Sequence, residues 1–215
     1  MKKSVAQHPA SKSKLRLTFI LVAAAAAVVV STKFYIDSNR SGIGQGAQAR
    51  MKGNPKAKVH IIEFADFQCP ACAQGSVYSK KIMTDHPDLI YLEMKYYPLA
   101  MHRHGAISAQ YAECAARQGQ FWPFQDKLFE QQKVWEIFID PRPAFELIAK
   151  DLKMDVGNLQ ACGKDEKILA VIEKDKTQGK NLGVNSTPTY FVNEKMLVGV
   201  KSLSEELEKY LHETK

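Results

Sequence analysis

Glycine and proline are scarce in this chain, with 12 and nine among 215 residues. Collagen-like and low-complexity sequences need far more of both. Hydrophobic residues make up 45% of the chain, which is too many for a wholly disordered protein. The length therefore indicates one folded domain of ordinary size, or one domain with an appendage.

The folded part of the chain also lacks an excess of positive charge. The formal net charge of +7 comes from residues 1–52, which hold nine Lys and Arg but one Asp. Residues 53–215 hold 21 basic and 22 acidic side chains and are close to neutral. A nucleic-acid-binding domain carries its basic side chains on the domain itself, so we expect no nucleic-acid partner.

The motifs of several enzyme classes are absent. The sequence holds no G-x-G-x-x-G fingerprint, Walker loop, H-E-x-x-H motif or G-x-S-x-G elbow. Its four cysteines are Cys69, Cys72, Cys114 and Cys162. Only the first two are close in sequence, whereas a structural zinc site usually takes two close pairs. We expect no metal, and zinc is the minor alternative.

The N-terminal segment has the charge pattern of an export signal. Five basic side chains precede an apolar run from Leu17 to Val30, a pattern that keeps the N-terminus cytoplasmic while the rest is exported. No small-x-small cleavage motif follows closely. We interpret residues 1–36 as a basic tail and uncleaved signal anchor, with a cleaved signal peptide as the second interpretation. Residues 37–52 are rich in Gly, Ser, Gln and Asn, which indicates a flexible tether.

Residues 53–215 have the pattern of an α/β domain. The apolar run Val59–Ala65 predicts a buried strand. Pro70 suits the first position of a helix that continues to about Asp85. Leu89–Tyr97 alternates apolar and polar side chains, which predicts a second strand. Residues 104–181 are mainly helical in pattern, with breaks at Gly119, Pro141, Pro143 and Gly163.

The C-terminal part predicts a β-hairpin and a helix. Two short β runs, Thr189–Asn193 and Met196–Val200, meet at residues 193–195. Ser202 predicts the N-cap of the last helix, with Glu205 completing a capping box. This order of elements is a split α/β plan rather than a repeat array or a sandwich.

The close cysteine pair has the spacing of a redox centre. Cys69 lies at a helix N-cap, where unpaired backbone N–H groups and the helix dipole favour a thiolate. The thiolate is the attacking species, so a lowered pKa makes Cys69 reactive. Cys72 lies one turn inward, where it can resolve a mixed disulfide. A structural disulfide over three residues would add little stability, so the redox interpretation is favoured over structural and metal ones.

Three separated motifs resemble the DsbA-like thiol–disulfide oxidoreductases, which are thioredoxin-fold proteins of the cell envelope. EFADFQCPAC at Glu63–Cys72 is similar to their active-site strand and helix start. GVNSTPTYFV at Gly183–Val192 resembles their cis-proline loop, and AECAARQGQFW at Ala112–Trp122 resembles their helical insertion. The resemblance covers about residues 53–213. It implies a thioredoxin fold with an inserted helical domain over about 104–181, and dithiol–disulfide exchange with no cofactor beyond the cysteines.

The resemblance also implies roles for individual residues. Burial cost alone leaves Glu63 open between a solvated edge residue and a buried acid, and the resemblance makes it the acid that relays a proton to Cys72. Pro188 is expected to be the cis-proline. Thr187 is expected to pair with an extended substrate segment by strand addition. Pro70 and Ala71 complete the substrate-facing set.

The two remaining cysteines have two interpretations from the residues themselves. In an exported protein, Cys114 and Cys162 are either paired or left as buried apolar residues. The resemblance implies a second, structural disulfide between them. Two histidines that precede the helical block, His102 and His104, are interpreted as solvated turn residues rather than ligands.

The function expected from these features is disulfide exchange in the cell envelope or periplasm. We expect the protein to be anchored to the inner membrane, and a secreted or soluble periplasmic protein is the alternative. Its clients are cysteine-containing exported proteins, and a membrane redox partner recycles the active site. We expect the enzyme to act as an oxidant. Ala71 stands where strongly oxidising relatives carry histidine, so a reductase or isomerase is the alternative. A non-catalytic binding or chaperone module is a third hypothesis.

Overall fold

Five strands form one mixed sheet in the computed structural model, which describes residues 46–212. The strands are β1 (Met51–Gly53), β2 (Val59–Ala65), β3 (Ile90–Tyr96), β4 (Thr189–Val192) and β5 (Lys195–Val198). Their spatial order is β1-β3-β2-β4-β5. β2 pairs in parallel with β3, while the β1–β3, β2–β4 and β4–β5 pairs are antiparallel. β2 is thus the central strand, and it leads directly to the cysteine pair.

Eight helices follow β1 in the described region. They are α1 (Pro70–Asp85), α2 (Gly105–Arg117), α3 (Phe121–Glu130), α4 (Gln132–Trp135), α5 (Arg142–Asp151), α6 (Val156–Cys162), α7 (Glu166–Asn181) and α8 (Gly199–His212). The helices α2 to α7 are inserted between β3 and β4. The fold is therefore a mixed α/β, thioredoxin-like fold whose second strand pair is separated from the first by a helical block.

The helical block has its own apolar core, which continues onto one face of the sheet. Trp135, Phe124 and Phe145 have no exposed side-chain surface and pack with Tyr96 of β3. A disulfide 2.02 Å long joins Cys114 of α2 to Cys162 at the end of α6, across 48 residues of sequence. This bond links the start of the block covalently to a helix near its end.

The hairpin turns over two residues with left-handed backbone. Asn193 and Glu194 have φ values of 44° and 77°, as a tight two-residue hairpin requires. The Asn193 side chain accepts a hydrogen bond from the His60 N–H at 2.9 Å and donates one to the Lys58 carbonyl at 3.1 Å. This asparagine therefore fixes the hairpin against the start of β2.

The last helix starts earlier than the sequence predicts. α8 begins at Gly199, because β5 ends at Val198 and Gly199, at φ 78°, turns the chain directly into the helix. The Gly199 N–H donates to the Pro188 carbonyl at 2.9 Å. Ser202 therefore lies inside the helix, and the predicted N-cap and capping box are wrong.

The C-terminal part of the predicted tether belongs to the folded domain. Arg50 is 4% exposed, and its guanidinium contacts Asp175 at 2.6 Å and the Met94 carbonyl at 2.9 Å. Met51–Gly53 then forms β1 against β3. The tether interpretation is thus wrong for residues 46–52, because a buried ion pair and strand pairing outweigh the polar local composition.

The rest of the tether, and the proposed signal anchor at residues 1–36, lie outside the described residues. Within residues 46–212, none of the helices has the length and apolar character that crossing a membrane requires.

Candidate active site

The reactive cysteine pair lies where the central strand passes into α1. Cys69 is the N-cap residue, with extended backbone (φ −82°, ψ 120°), and Pro70 follows at the first helical position. The Cys69 carbonyl accepts hydrogen bonds from the N–H groups of Cys72 at 3.1 Å and Ala73 at 3.2 Å. Both cysteines are free thiols here. Pro70 is exposed and Ala71 partly so, which leaves this side of Cys69 open to a substrate.

The environment of Cys69 favours its thiolate. The pKa of Cys69 is lowered to about 5, mainly by a hydrogen bond with the Cys72 thiol. Partial burial opposes this shift, while Thr187 and the backbone N–H groups of Cys72 and Ala71 add to it. Cys69 is therefore ionised at neutral pH. The helix start contributes as the sequence suggests, but the neighbouring thiol contributes more.

Cys72 has the opposite character. Its side chain is fully buried, and burial raises the pKa of Cys72 well above its ordinary value, with Cys69 as the next cause. The Asp66 backbone N–H lies 3.5 Å from the Cys72 sulfur and favours the thiolate in part. The pair thus consists of one ionised outer thiol and one protonated inner thiol.

The loop before β4 approaches Cys69 from the other side. The Thr187–Pro188 peptide bond is cis. The Cys69 sulfur lies 3.4 Å from the Thr187 carbonyl oxygen, to which the thiol donates when it is protonated, although 118 residues separate the two in sequence. Pro188 itself is buried and Thr187 partly exposed. An extended peptide that reaches Cys69 would therefore meet the backbone of this loop.

Glu63 lies beneath the pair on β2. It is 5% exposed, and it is flanked by Tyr190 on β4 and Met94 on β3. Burial raises the pKa of Glu63 to about 7, with Tyr190 opposing the shift in part. A carboxyl group with this pKa can both accept and release a proton at neutral pH. Glu63 is therefore a buried acid and not a solvated edge residue.

Gly75 in α1 makes room for Tyr190, which lies opposite Glu63 on the neighbouring strand. A Cβ atom at Gly75 would lie 2.2 Å from the Tyr190 hydroxyl oxygen. Glycine is therefore required here for the close approach of α1 to β4. Nothing local in the sequence marks Gly75 for this role.

Polar side chains around the strand-to-helix turn were also missed. The Gln132 amide donates to the carbonyls of Phe67 at 2.7 Å and Cys69 at 3.1 Å. The Gln68 side-chain oxygen accepts from the His104 N–H at 2.6 Å. The available signal was the pair of polar residues, Asp66 and Gln68, between a buried strand and a reactive cysteine.

The two histidines do not behave as solvated turn residues. His104 is 4% exposed, and its Nε2 lies 2.8 Å from the Phe138 carbonyl. His102 is mostly buried, with Nδ1 2.8 Å from the Asp66 carboxylate. The interpretation is wrong for both, because His102 contacts Asp66 and His104 contacts the helical block at Phe138, and local polarity indicates neither contact.

Metal ligation has no candidate in the part of the chain that the structure describes. Residues 46–212 contain no group of three or more His, Cys, Asp or Glu side chains arranged to hold an ion.

Comparisons with known proteins show which family and which proteins this chain resembles. The family model described as Thioredoxin matches residues 47–213. Disulfide bond formation protein D of Bacillus subtilis is 28% identical over 160 residues, which are 70% of this chain and 72% of that protein.

Two solved structures show the same fold. The oxidised BdbD crystal structure from B. subtilis has a TM-score of 0.66 and 24% identity, and the match covers 76% of this chain and 92% of that one. The crystal structure of alpha-DsbA1 from Wolbachia pipientis has a TM-score of 0.65 and 23% identity, with 74% of this chain and 87% of that one covered.

A different kind of name also occurs among the curated relatives. The Na(+)/H(+) antiporter NhaA 3 of Salinispora tropica is 31% identical over 145 residues, which are 66% of this chain. The match spans only 21% of that antiporter. Because four fifths of the antiporter lie outside the match, its transport activity is not carried over to this chain.

Proposed function

This chain belongs to the thioredoxin family, and we propose that it is a DsbA-like thiol–disulfide oxidoreductase that oxidises cysteines of exported proteins. The observation that carries the proposal is the asymmetry between its two thiols: an ionised, outer Cys69 and a buried, protonated Cys72. An oxidoreductase needs this difference because one sulfur forms the mixed disulfide and the other resolves it.

In the oxidising direction, a client thiolate attacks the Cys69 sulfur of the Cys69–Cys72 disulfide. A client–Cys69 disulfide forms, and Cys72 leaves as a thiolate that must be protonated. A second client thiolate then attacks the client sulfur of the mixed disulfide. The client gains a disulfide, Cys69 leaves as a thiolate, and two electrons remain on the enzyme.

The proton for Cys72 comes from Glu63 in this proposal. Its carboxyl group is buried and close enough to Cys72 to help raise the pKa of that thiol. Its own pKa of about 7 allows it to donate a proton and to be reprotonated at neutral pH. The Thr187 backbone would hold the client segment by strand addition. Pro188 fixes this loop against Cys69, and the exposed side of Pro70 and Ala71 completes the client contact.

The low pKa of Cys69 favours the oxidising direction. A stabilised thiolate stabilises the reduced enzyme, and this makes the disulfide form a stronger oxidant. Export to the envelope, a signal anchor at residues 1–36 and a membrane partner that reoxidises the pair belong to the same proposal. They rest on the basic and apolar pattern of the N-terminal sequence.

The reduction potential of the pair tests the direction. Equilibration with glutathione redox buffers should give a value nearer the roughly −120 mV of DsbA than the roughly −270 mV of thioredoxin. A value at the thioredoxin end would support the reductase alternative, for which Ala71 in place of histidine is the specific observation. Catalysed peptide oxidation should be lost in Cys69→Ser, and activity retained in that variant would contradict the proposed chemistry.

A further inference from the structure

The carboxylate of Asp66 is buried beside the active-site turn, outside the residues used so far. Its side chain has no exposed surface, and a buried carboxylate is costly unless it is hydrogen-bonded. Three donors satisfy it: the Gln68 N–H reaches Oδ1 at 2.8 Å, and the Leu99 N–H and His102 Nδ1 each reach Oδ2 at 2.8 Å. The carboxylate therefore joins the turn to the loop that precedes α2.

The backbone of the same residue contacts both cysteines. The Asp66 N–H lies 3.5 Å from the Cys72 sulfur. The Asp66 carbonyl accepts a hydrogen bond from the Cys69 N–H at 3.0 Å. One residue thus has its side chain fixed to the loop that precedes α2 and its peptide groups directed at the redox pair.

The space around the carboxylate is closed on the side of α2. A Cβ atom at Gly105, the first residue of α2, would lie 2.9 Å from both carboxylate oxygens. The positive end of the α2 dipole is also favourable for a carboxylate. Glycine at this position lets the helix start approach Asp66 without displacing it.

We infer that Asp66 is a positioning residue for the step in which Cys72 forms or breaks its bond to Cys69: its carboxylate holds its own N–H against the Cys72 sulfur. The inference rests on the proposed function. When reduced enzyme meets a disulfide, the Cys69 thiolate attacks one sulfur, forms a mixed disulfide and expels the first thiolate. Cys72 gives its proton to the Glu63 carboxylate, and the resulting Cys72 thiolate attacks Cys69, forms the Cys69–Cys72 disulfide and expels the second thiolate.

The first of these steps does not depend on the Asp66 side chain. The Cys69 thiolate is stabilised by Cys72, Thr187 and the first N–H groups of α1. In the second step the negative charge develops on Cys72, where the N–H of Asp66 acts. A displaced Asp66 should therefore slow resolution and leave the formation of the mixed disulfide nearly unchanged.

The test uses reduced protein and glutathione disulfide, with acid quenching and mass spectrometry to follow reduced, mixed-disulfide and oxidised enzyme. Asp66→Asn keeps the shape of the side chain but removes its charge. Gly105→Ala crowds the carboxylate without removing a hydrogen-bonding group. The matched control is Asp85→Asn, whose carboxylate is exposed and pairs with Lys81 on the surface of α1.

Resolution should slow about tenfold in Asp66→Asn, the effect of weakening one hydrogen bond to a charged group. It should slow in Gly105→Ala as well, so that the mixed disulfide accumulates in both. The control should stay within about twofold of the unmodified protein. Asp66→Ala removes the carboxylate altogether. If this variant does not fold, the results for Asp66→Asn and Gly105→Ala decide the test.

Two results would overturn the inference. One is an unchanged resolution rate in Asp66→Asn and Gly105→Ala. The other is an equal slowing of both steps, which indicates general loss of structure. Failure of the proposed exchange chemistry is distinguishable, because the unmodified protein would then form no mixed disulfide at all. The direction of exchange is tested separately by the reduction potential.

Discussion

Glu63 should make the stability of the oxidised protein fall as pH rises. Its pKa is raised from 4.5 to about 7 in the folded protein by burial. Between these two values the folded state binds more protons than the unfolded state, so the free energy of unfolding decreases with rising pH. This stability is fully present below the unfolded pKa and is lost as pH passes the folded pKa.

The magnitude follows from the size of the shift. Each pKa unit corresponds to about 1.4 kcal/mol, so the raised pKa of Glu63 amounts to about 3 kcal/mol between pH 4 and pH 8. Glu63→Gln removes the charge and keeps the volume. The variant should therefore equal the unmodified protein near pH 4 and exceed its stability by up to this amount near pH 8.

The measurement requires the oxidised protein, because the contribution of Cys69 to stability has the opposite pH dependence. Its lowered pKa would make the reduced protein gain stability with rising pH, whereas cysteines in a disulfide do not titrate. The causes of the Glu63 shift, burial and Tyr190, do not involve the cysteines. Urea unfolding of both proteins at pH 4, 6 and 8 measures the difference, and a difference that is independent of pH would refute the reasoning.

Three further outcomes are expected. Titration of thiolate absorbance should give a midpoint near pH 5 for Cys69, and a midpoint at or above the unperturbed ~8.5 would contradict the argued reactivity. Cys72→Ser should trap a mixed disulfide on Cys69 with client peptides, and mass spectrometry that finds none would contradict its resolving role. Cys114→Ala should lower the melting temperature, because the 48-residue separation to Cys162 gives up to ~4 kcal/mol in the chain-entropy model. Peptide exchange by this variant should stay near normal, and loss of activity in a folded protein would contradict a purely structural bond.

The local elements of this fold were predictable because their signals are contained in short stretches of sequence. The apolar run Val59–Ala65 coincides with β2, and α1 begins at Pro70 and ends at Asp85. β1 has only three residues, too few for a periodic pattern, and the Arg50 beside it is bound by Asp175, 125 residues away in sequence. Ser202 had the right residue type for an N-cap, but Gly199 had already started the helix.

The reactive pair could likewise be proposed from sequence, since its two cysteines and the helix start lie within four residues. The contacts between the pair and distant segments could not be predicted from the local sequence. Thr187 reaches Cys69 across 118 residues, and the Leu99 N–H and His102 reach Asp66 across 33 and 36. Whether Glu63 is buried depended on β4 and the helical block covering β2. Burial by such distant segments raises the pKa values of Glu63 and Cys72, and only the packing of the sheet against the helices brings these groups together.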